Sequence, residues 1–278
     1  MKVVWFGLGR FGRPMAQNLM ARGWELALPS GPHAREATED LLQAGAIPYT
    51  RGDAFDVCGV CLPTPDDVAE AIAQIDLPPG CAVVDFSTGH PRAARQIAAR
   101  LQSRDVQYID APVSGSIDHA LAGELTVWAG ADRSQVRSDA GDLLDAAAKN
   151  VFYMGSAGAG SAMKLVNQII HISNVAAIGE GLRFAAAQDL DLGLAVTSMT
   201  TSSADSAMLR RFGATIAEGN FDVRFALRLA LKDVRFADAE AQDLDVDLPN
   251  LAAIRARMEQ FVGDGHGDLD FSYLANPH

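Results

Sequence analysis

Two groups of residues in this chain have the types and spacing to do chemistry. The first is Gly7, Gly9 and Gly12 in "VVWFGLGRFGRPMAQNL", a G-x-G-x-x-G run directly after a β-rich stretch and opening a helical one. Gly7 permits a tight turn, Gly9 lets the backbone approach a pyrophosphate, and Gly12 allows close helix–strand packing. The helix start then offers free N–H groups and the positive end of its dipole to phosphates. Leu8, Arg10 and Phe11 complete the loop and are candidates with it. The competing reading is a glycine turn with no ligand. The second group centres on Lys164 in "GSAGAGSAMKLVNQ", at the head of a helix that is apolar on nearly every side. Such helices are buried, lysine is seldom buried without a partner, and the first turn of a helix disfavours a cation. A lysine held against these preferences is a candidate proton donor and acceptor; otherwise it reaches the surface along its methylene stem. Lys164, Gln168 and His171 share one helix face at i, i+4 and i+7, although His171 is more simply a packed helix histidine.

The elements that must carry these residues follow from periodicity. Strands are expected at Lys2–Phe6, Glu25–Leu28, Asp56–Leu62, Ala82–Asp85, Gln107–Asp110, Leu125–Ala129 and Val151–Tyr153, with helices near 13–22, 33–44, 66–75, 91–102 and 133–148. This alternation predicts an α/β, Rossmann-type domain with a mostly parallel sheet and helices on both faces. After about residue 157 strand signals stop and helical patterns fill the rest. Two domains are expected: 1–157 for dinucleotide binding and 158–278 all-helical.

Composition narrows the function. Of 278 residues, 49% are hydrophobic and 21% charged, the profile of an ordinary globular protein. A net charge of −12 argues against nucleic acid and against an anionic membrane. No signal peptide or membrane span is read, so a cytoplasmic address is expected. Three cysteines, few and odd in number, argue against a disulfide framework, and Cys58 and Cys61, although spaced C-x-x-C, fall on a strand where side chains three apart face opposite ways. The six histidines show no metal-ligand spacing, so no metal is expected.

The place after the second strand, where NAD-binding folds usually carry an acidic residue, reads "WELALPSGPHAR". Pro29, Ser30 and Gly31 stand there, with His33 and Arg35 just beyond. Without a carboxylate to repel a 2′-phosphate, NADP is favoured and NAD remains possible. Arg35 also fits a solvated helix position.

The motifs "GLGRFGRPMAQNL", "CLPTPDDV", "VVDFST", "DAPVSGS", "GAGSAMKLVNQ" and "FALRLALKDVRFA" occur in the order of the β-hydroxyacid dehydrogenase family, which the chain resembles from Val3 to about Asp270. The resemblance implies hydride exchange between a nicotinamide cofactor and a small β-hydroxyacid or its semialdehyde. It places Leu62, Pro63 and Thr64 of "CLPTP" and Thr88 of "DFST" at the nicotinamide end of the cofactor, although Thr64 also suits a plain proline-rich turn. It makes "VSGS" the carboxylate loop of a small substrate, with Ser114, Gly115 and Ser116. Ser116 replaces the family's usual second glycine, and a positive φ there would strain a serine. Lys164 falls on the family's catalytic lysine, whose pKa should drop in such a cleft. Asn167 and Gln168 are alternative amides for orienting the substrate oxygen. Lys232 is implied to touch the cofactor and Phe225 and Asp233 the substrate, where an amphipathic packing helix is the simpler account. The rival functions are imine reduction on the same scaffold, whose enzymes usually replace the lysine, and dinucleotide binding without turnover. The apolar helix from about Ser161 to Ala187 predicts a homodimer or homotetramer.

Overall fold

The computed structural model describes residues 1–29 and 35–277, in two compact units, Met1–Lys164 and Leu165–His278. Ser30, Gly31 and His33, and with them the side chain of Arg35, lie outside the described residues.

In the first unit, short apolar runs form β1 (Lys2–Phe6), β2 (Glu25–Pro29), β3 (Ile47–Tyr49), β4 (Val57–Val60), β5 (Ala82–Asp85) and β6 (Gln107–Asp110). All six are parallel, in the order β3-β2-β1-β4-β5-β6. The crossovers carry α1 (Gly12–Ala21), α2 (Arg35–Gln43), α3 (Pro65–Ala73) and α4 (Pro91–Gln102). The strand order reverses between β1 and β4, and ligands of open α/β sheets bind outside the carboxyl ends of the strands at such a switch point. β4 and β5 are buried along their whole lengths, which explains their unbroken apolar character.

A second sheet follows, and here the fold departs from the periodicity. β7 (Val113–Ser114) pairs antiparallel with β8 (Leu125–Ala129), which pairs parallel with β9 (Ala148–Tyr153); α5 (Ile117–Ala122) and α6 (Ser138–Ala147) lie between them in sequence. The last two predicted strands therefore belong to a separate three-stranded sheet. The helix expected over 133–148 is a 3₁₀ turn at Arg133–Gln135, then α6, and Ala148 already opens β9. After its first residue β9 carries exposed Lys149 and Asn150, the polar dress of an edge strand. β3 carries Pro48, which only an edge strand tolerates. The first feature conceals the start of β9 from the sequence, and the second the whole of β3.

The second unit is built from α7 (Ala159–Ala187), whose first turns belong to the first unit, then α8 (Leu192–Met199), α9 (Ala207–Ala217), α10 (Leu227–Asp243) and α11 (Pro249–Phe261). Its core gathers Ile172, Val175, Leu182, Leu231, Met258 and Phe271. Among the described residues no helix is long and apolar enough to cross a membrane.

Candidate active site

The glycine loop has the shape its composition predicts. Gly7 has φ +93°, and a Cβ there would lie 2.0 Å from the Cys61 carbonyl oxygen. One at Gly12 would lie 2.1 Å from the Gly7 carbonyl oxygen, so neither position admits a side chain. A Cβ at Gly9 would meet nothing within 4 Å, which leaves that face of the loop open for a ligand. The buried Trp5 indole donates to the Gly7 carbonyl at 2.9 Å and holds the turn from below. No described side chain caps α1, whereas α3 and α5 are both capped by hydroxyls. An uncapped helix start at the switch point of a parallel sheet fits a dinucleotide pyrophosphate.

The two neighbouring turns leave the carboxyl ends of β4 and β5. Leu62 and Thr64 are half-buried and Pro63 is exposed. Thr64 is the N-cap of α3: its Oγ1 accepts from the Asp67 N–H at 3.1 Å, and its own N–H donates to Asp67 Oδ2 at 3.0 Å. The hydroxyl is thus committed to a capping box. After β5, Ser87 Oγ accepts from the Leu62 N–H at 2.8 Å and ties the two turns together; Thr88 follows, half-buried.

Lys164 does not snorkel. Its side chain is buried and Nζ donates to the Val113 carbonyl at 2.9 Å, immediately before Ser114 and Gly115. α7 begins at Ala159, so Lys164 lies in its second turn and not, as expected, in its first; the positive helix terminus itself is met by a residue that the sequence did not single out. Asp110, at the end of β6, accepts from the Gly158 N–H at 2.8 Å and the Ser161 N–H at 2.7 Å, and so caps α7 from outside. Burial lifts the Asp110 carboxyl above its ordinary range, although these hydrogen bonds pull it down. Nothing in its local sequence marks this role, because the partners lie about fifty residues downstream.

In the "VSGS" loop the left-handed backbone falls on Gly115, at φ +154°, and not on Ser116, at φ −108°. The serine is therefore unstrained. Ser116 caps α5: its N–H donates to His119 Nδ1 at 3.0 Å and its Oγ lies 2.9 Å from the same nitrogen. His119 is the residue that makes a serine useful where the family carries glycine, and the S-x-x-H spacing was the legible signal.

The second unit has a polar cluster of its own. Gln168 Nε2 donates to Asp233 Oδ2 at 2.8 Å, Lys232 Nζ lies 3.2 Å from Asp233 Oδ1, and Asn167 Nδ2 donates to Gln168 Oε1 at 3.2 Å. Gln168 and Asp233 are buried, so this is not the exposed lysine–aspartate pair of a packing helix. Phe225 precedes α10, and its ring packs on Phe271 with centroids 5.8 Å apart. His171 meets Phe271 edge-on at 4.9 Å, as a packing histidine does.

Family comparison decides what this assembly is. Residues 2–155 match the NAD binding domain of 6-phosphogluconate dehydrogenase, and residues 158–278 match the NAD-binding domain of NADP-dependent 3-hydroxyisobutyrate dehydrogenase. The chain belongs to the β-hydroxyacid dehydrogenase family. The dehydrogenase is 30% identical to the 2-hydroxy-3-oxopropionate reductase of Escherichia coli, over 99% of this chain and 96% of the relative. It resembles the solved 3-hydroxyisobutyrate dehydrogenases of Mycobacterium tuberculosis, studied with L-serine (TM-score 0.87, 26% identity, 99% and 97% of the two chains), and of Salmonella typhimurium (0.86, 26%, 99% of each). An imine reductase from Pseudomonas sp. shares the fold at 17% identity and TM-score 0.61, over 99% of this chain and 98% of that one, a likeness of fold alone.

Proposed function

We propose that this dehydrogenase interconverts a small β-hydroxyacid and its semialdehyde, with Lys164 as general acid–base. The observation that carries the reading is the buried Lys164, whose Nζ donates to the Val113 carbonyl at 2.9 Å beside the positive-φ Gly115 turn. A bound nicotinamide dinucleotide supplies hydride exchange. Lys164 Nζ takes the proton of the substrate hydroxyl in oxidation and returns one to the carbonyl oxygen in reduction. The N–H groups of Ser114 and Gly115 receive the substrate carboxylate, while Ser116 acts indirectly by fixing the loop through His119. Asn167 and Gln168 remain the amides assigned to the substrate oxygen, Phe225 and Asp233 to the substrate, and Lys232 to the cofactor. Neither rival reading explains a buried lysine at this loop. The missing carboxylate after β2 supports NADP, with NAD accepted, and three cysteines in 278 residues suit a cytoplasmic enzyme.

A nicotinamide-absorbance screen tests this directly, using 3-hydroxyisobutyrate, tartronate semialdehyde, glyoxylate and succinic semialdehyde with both cofactors. Turnover of at least one is expected; none with any of the four refutes the substrate class.

A further inference from the structure

At the carboxyl end of β5 three buried polar side chains stand where an apolar core would be cheaper. Asp85, Ser87 and Tyr108 are 6%, 6% and 7% exposed. A carboxyl group out of water costs several kcal/mol unless hydrogen bonds replace its hydration. Here they form a directed relay. The Tyr108 hydroxyl, from β6, donates to Asp85 Oδ2 at 2.6 Å, and the Ser87 N–H donates to Asp85 Oδ1 at 2.9 Å. Ser87 Oγ then accepts from the Leu62 N–H at 2.8 Å, while the Phe86 N–H donates to the Val60 carbonyl at 2.8 Å. The chain of contacts runs from β6 through β5 to the turn that leaves β4. The two bonds to Asp85 are buried and that from Leu62 to Ser87 is partly so, and those to an ionised Asp85 are charge-assisted.

We propose that Tyr108, Asp85 and Ser87 are positioning residues that set the Leu62–Thr64 and Phe86–Thr88 turns for the nicotinamide end of the dinucleotide. The inference rests on the cofactor-binding role given to these turns above. It has a consequence in pH. Burial lifts the Asp85 carboxyl to about 6, against the hydrogen bonds from Ser87 and Tyr108, and Asp110, its register partner on β6, adds to the rise. Ionised Asp85 accepts two hydrogen bonds at once; a protonated Asp85 must turn one around or lose it. Cofactor affinity therefore weakens as pH falls through this range. The other groups facing Asp85 are Cys58 on β4 and Tyr108, both pushed up by burial and so neutral. His90, at the head of α4, lines the same small cavity as Asp85, as do the uncharged Pro65 and Val68 of α3 and Ser161 of α7.

The test is fluorescence titration of the full-length protein with NADH, which has no titrating group of its own between pH 5 and 8, and with NADPH at pH 7. Wild-type Kd for NADH is expected to rise severalfold from pH 7 to pH 5. Asp85→Asn keeps the shape but, like the protonated carboxyl, must turn one hydrogen bond around; because it cannot titrate, it should hold the weaker affinity flat from pH 7 to pH 5. Tyr108→Phe and Ser87→Ala, each losing one oxygen, should raise Kd for both cofactors at pH 7 by roughly fivefold, the scale of one hydrogen bond. An Asp85→Asn protein that keeps the wild-type inflection overturns the proposal. So do Tyr108→Phe and Ser87→Ala proteins with wild-type affinity. A wild-type protein that binds neither dinucleotide refutes the proposed function and this inference together; binding that the three variants leave unchanged refutes this inference alone.

Discussion

Lys164 and the segment after β2 carry the sharpest residue-level expectations. Lys164→Ala removes the proton-transferring group and should lower turnover by about a hundredfold or more, with cofactor affinity nearly unchanged. Steady-state kinetics beside a cofactor titration checks this; a folded variant with near wild-type turnover makes the lysine structural. Cofactor choice turns on the absence of a carboxylate between Pro29 and Arg35. NADPH should bind more tightly than NADH by about tenfold, the scale of one charge-assisted contact from Arg35 to a 2′-phosphate. Gly31→Asp should reverse the order, and Arg35→Ala should erase it. Equal or inverted wild-type affinities would reject the NADP assignment. Lys164 was legible because a cation in an apolar helix is conspicuous in one dimension. Asp110 and Asp85 were not, since an aspartate ending a strand looks the same whether it caps a distant helix, anchors a turn or meets water.

At the scale of elements, the start of α7 packs closely against the ends of β6 and β8. A Cβ at Gly160 would lie 2.3 Å from the Trp128 carbonyl oxygen and 2.4 Å from that of Asp110, both backbone atoms that have nowhere to move. Gly160→Ala should therefore destabilise the first unit by about 1–3 kcal/mol, the range for overpacking a close contact. Asp110→Ala leaves the Gly158 and Ser161 N–H groups buried without an acceptor and should cost roughly 2–4 kcal/mol, at one to two per orphaned donor. Thermal or urea unfolding measures both; losses under about half a kcal/mol would mean that α7 does not depend on this anchorage. The glycine-rich stretch before Lys164 reads in sequence as a hinge, yet the helix begins inside it, at Ala159, because glycine here serves close approach and not freedom. The substrate loop shows the converse. Gly115 supplies the one left-handed residue, and Ser116 is free to be a cap.

For the whole molecule, the exposed face of the second unit bears on assembly. Val166, Ile170 and Phe184 of α7 are 45%, 58% and 70% exposed, and Leu194 of α8 is 69% exposed. Single exposed apolar residues are ordinary, but a row of them along one long helix marks a protein contact. A homodimer or homotetramer burying this row is our proposal. Phe184→Glu should shift the protein to a smaller species in sedimentation velocity, while a monomeric wild type refutes the proposal outright.

The sequence by itself determined the elements whose signal is local: the alternating strands and helices of the first domain, the glycine loop, the helical second half, and the family through motifs in fixed order. Periodicity and glycine placement need only neighbouring residues, so they survive in one dimension. The tertiary structure alone decided that β7, β8 and β9 form a sheet of their own, that Asp110 neutralises the start of α7, and that a tyrosine, an aspartate and a serine tie the turns after β4 and β5 together. Each of these joins residues far apart in the chain through hydrogen bonds whose value comes from burial, and burial is a property of the folded chain.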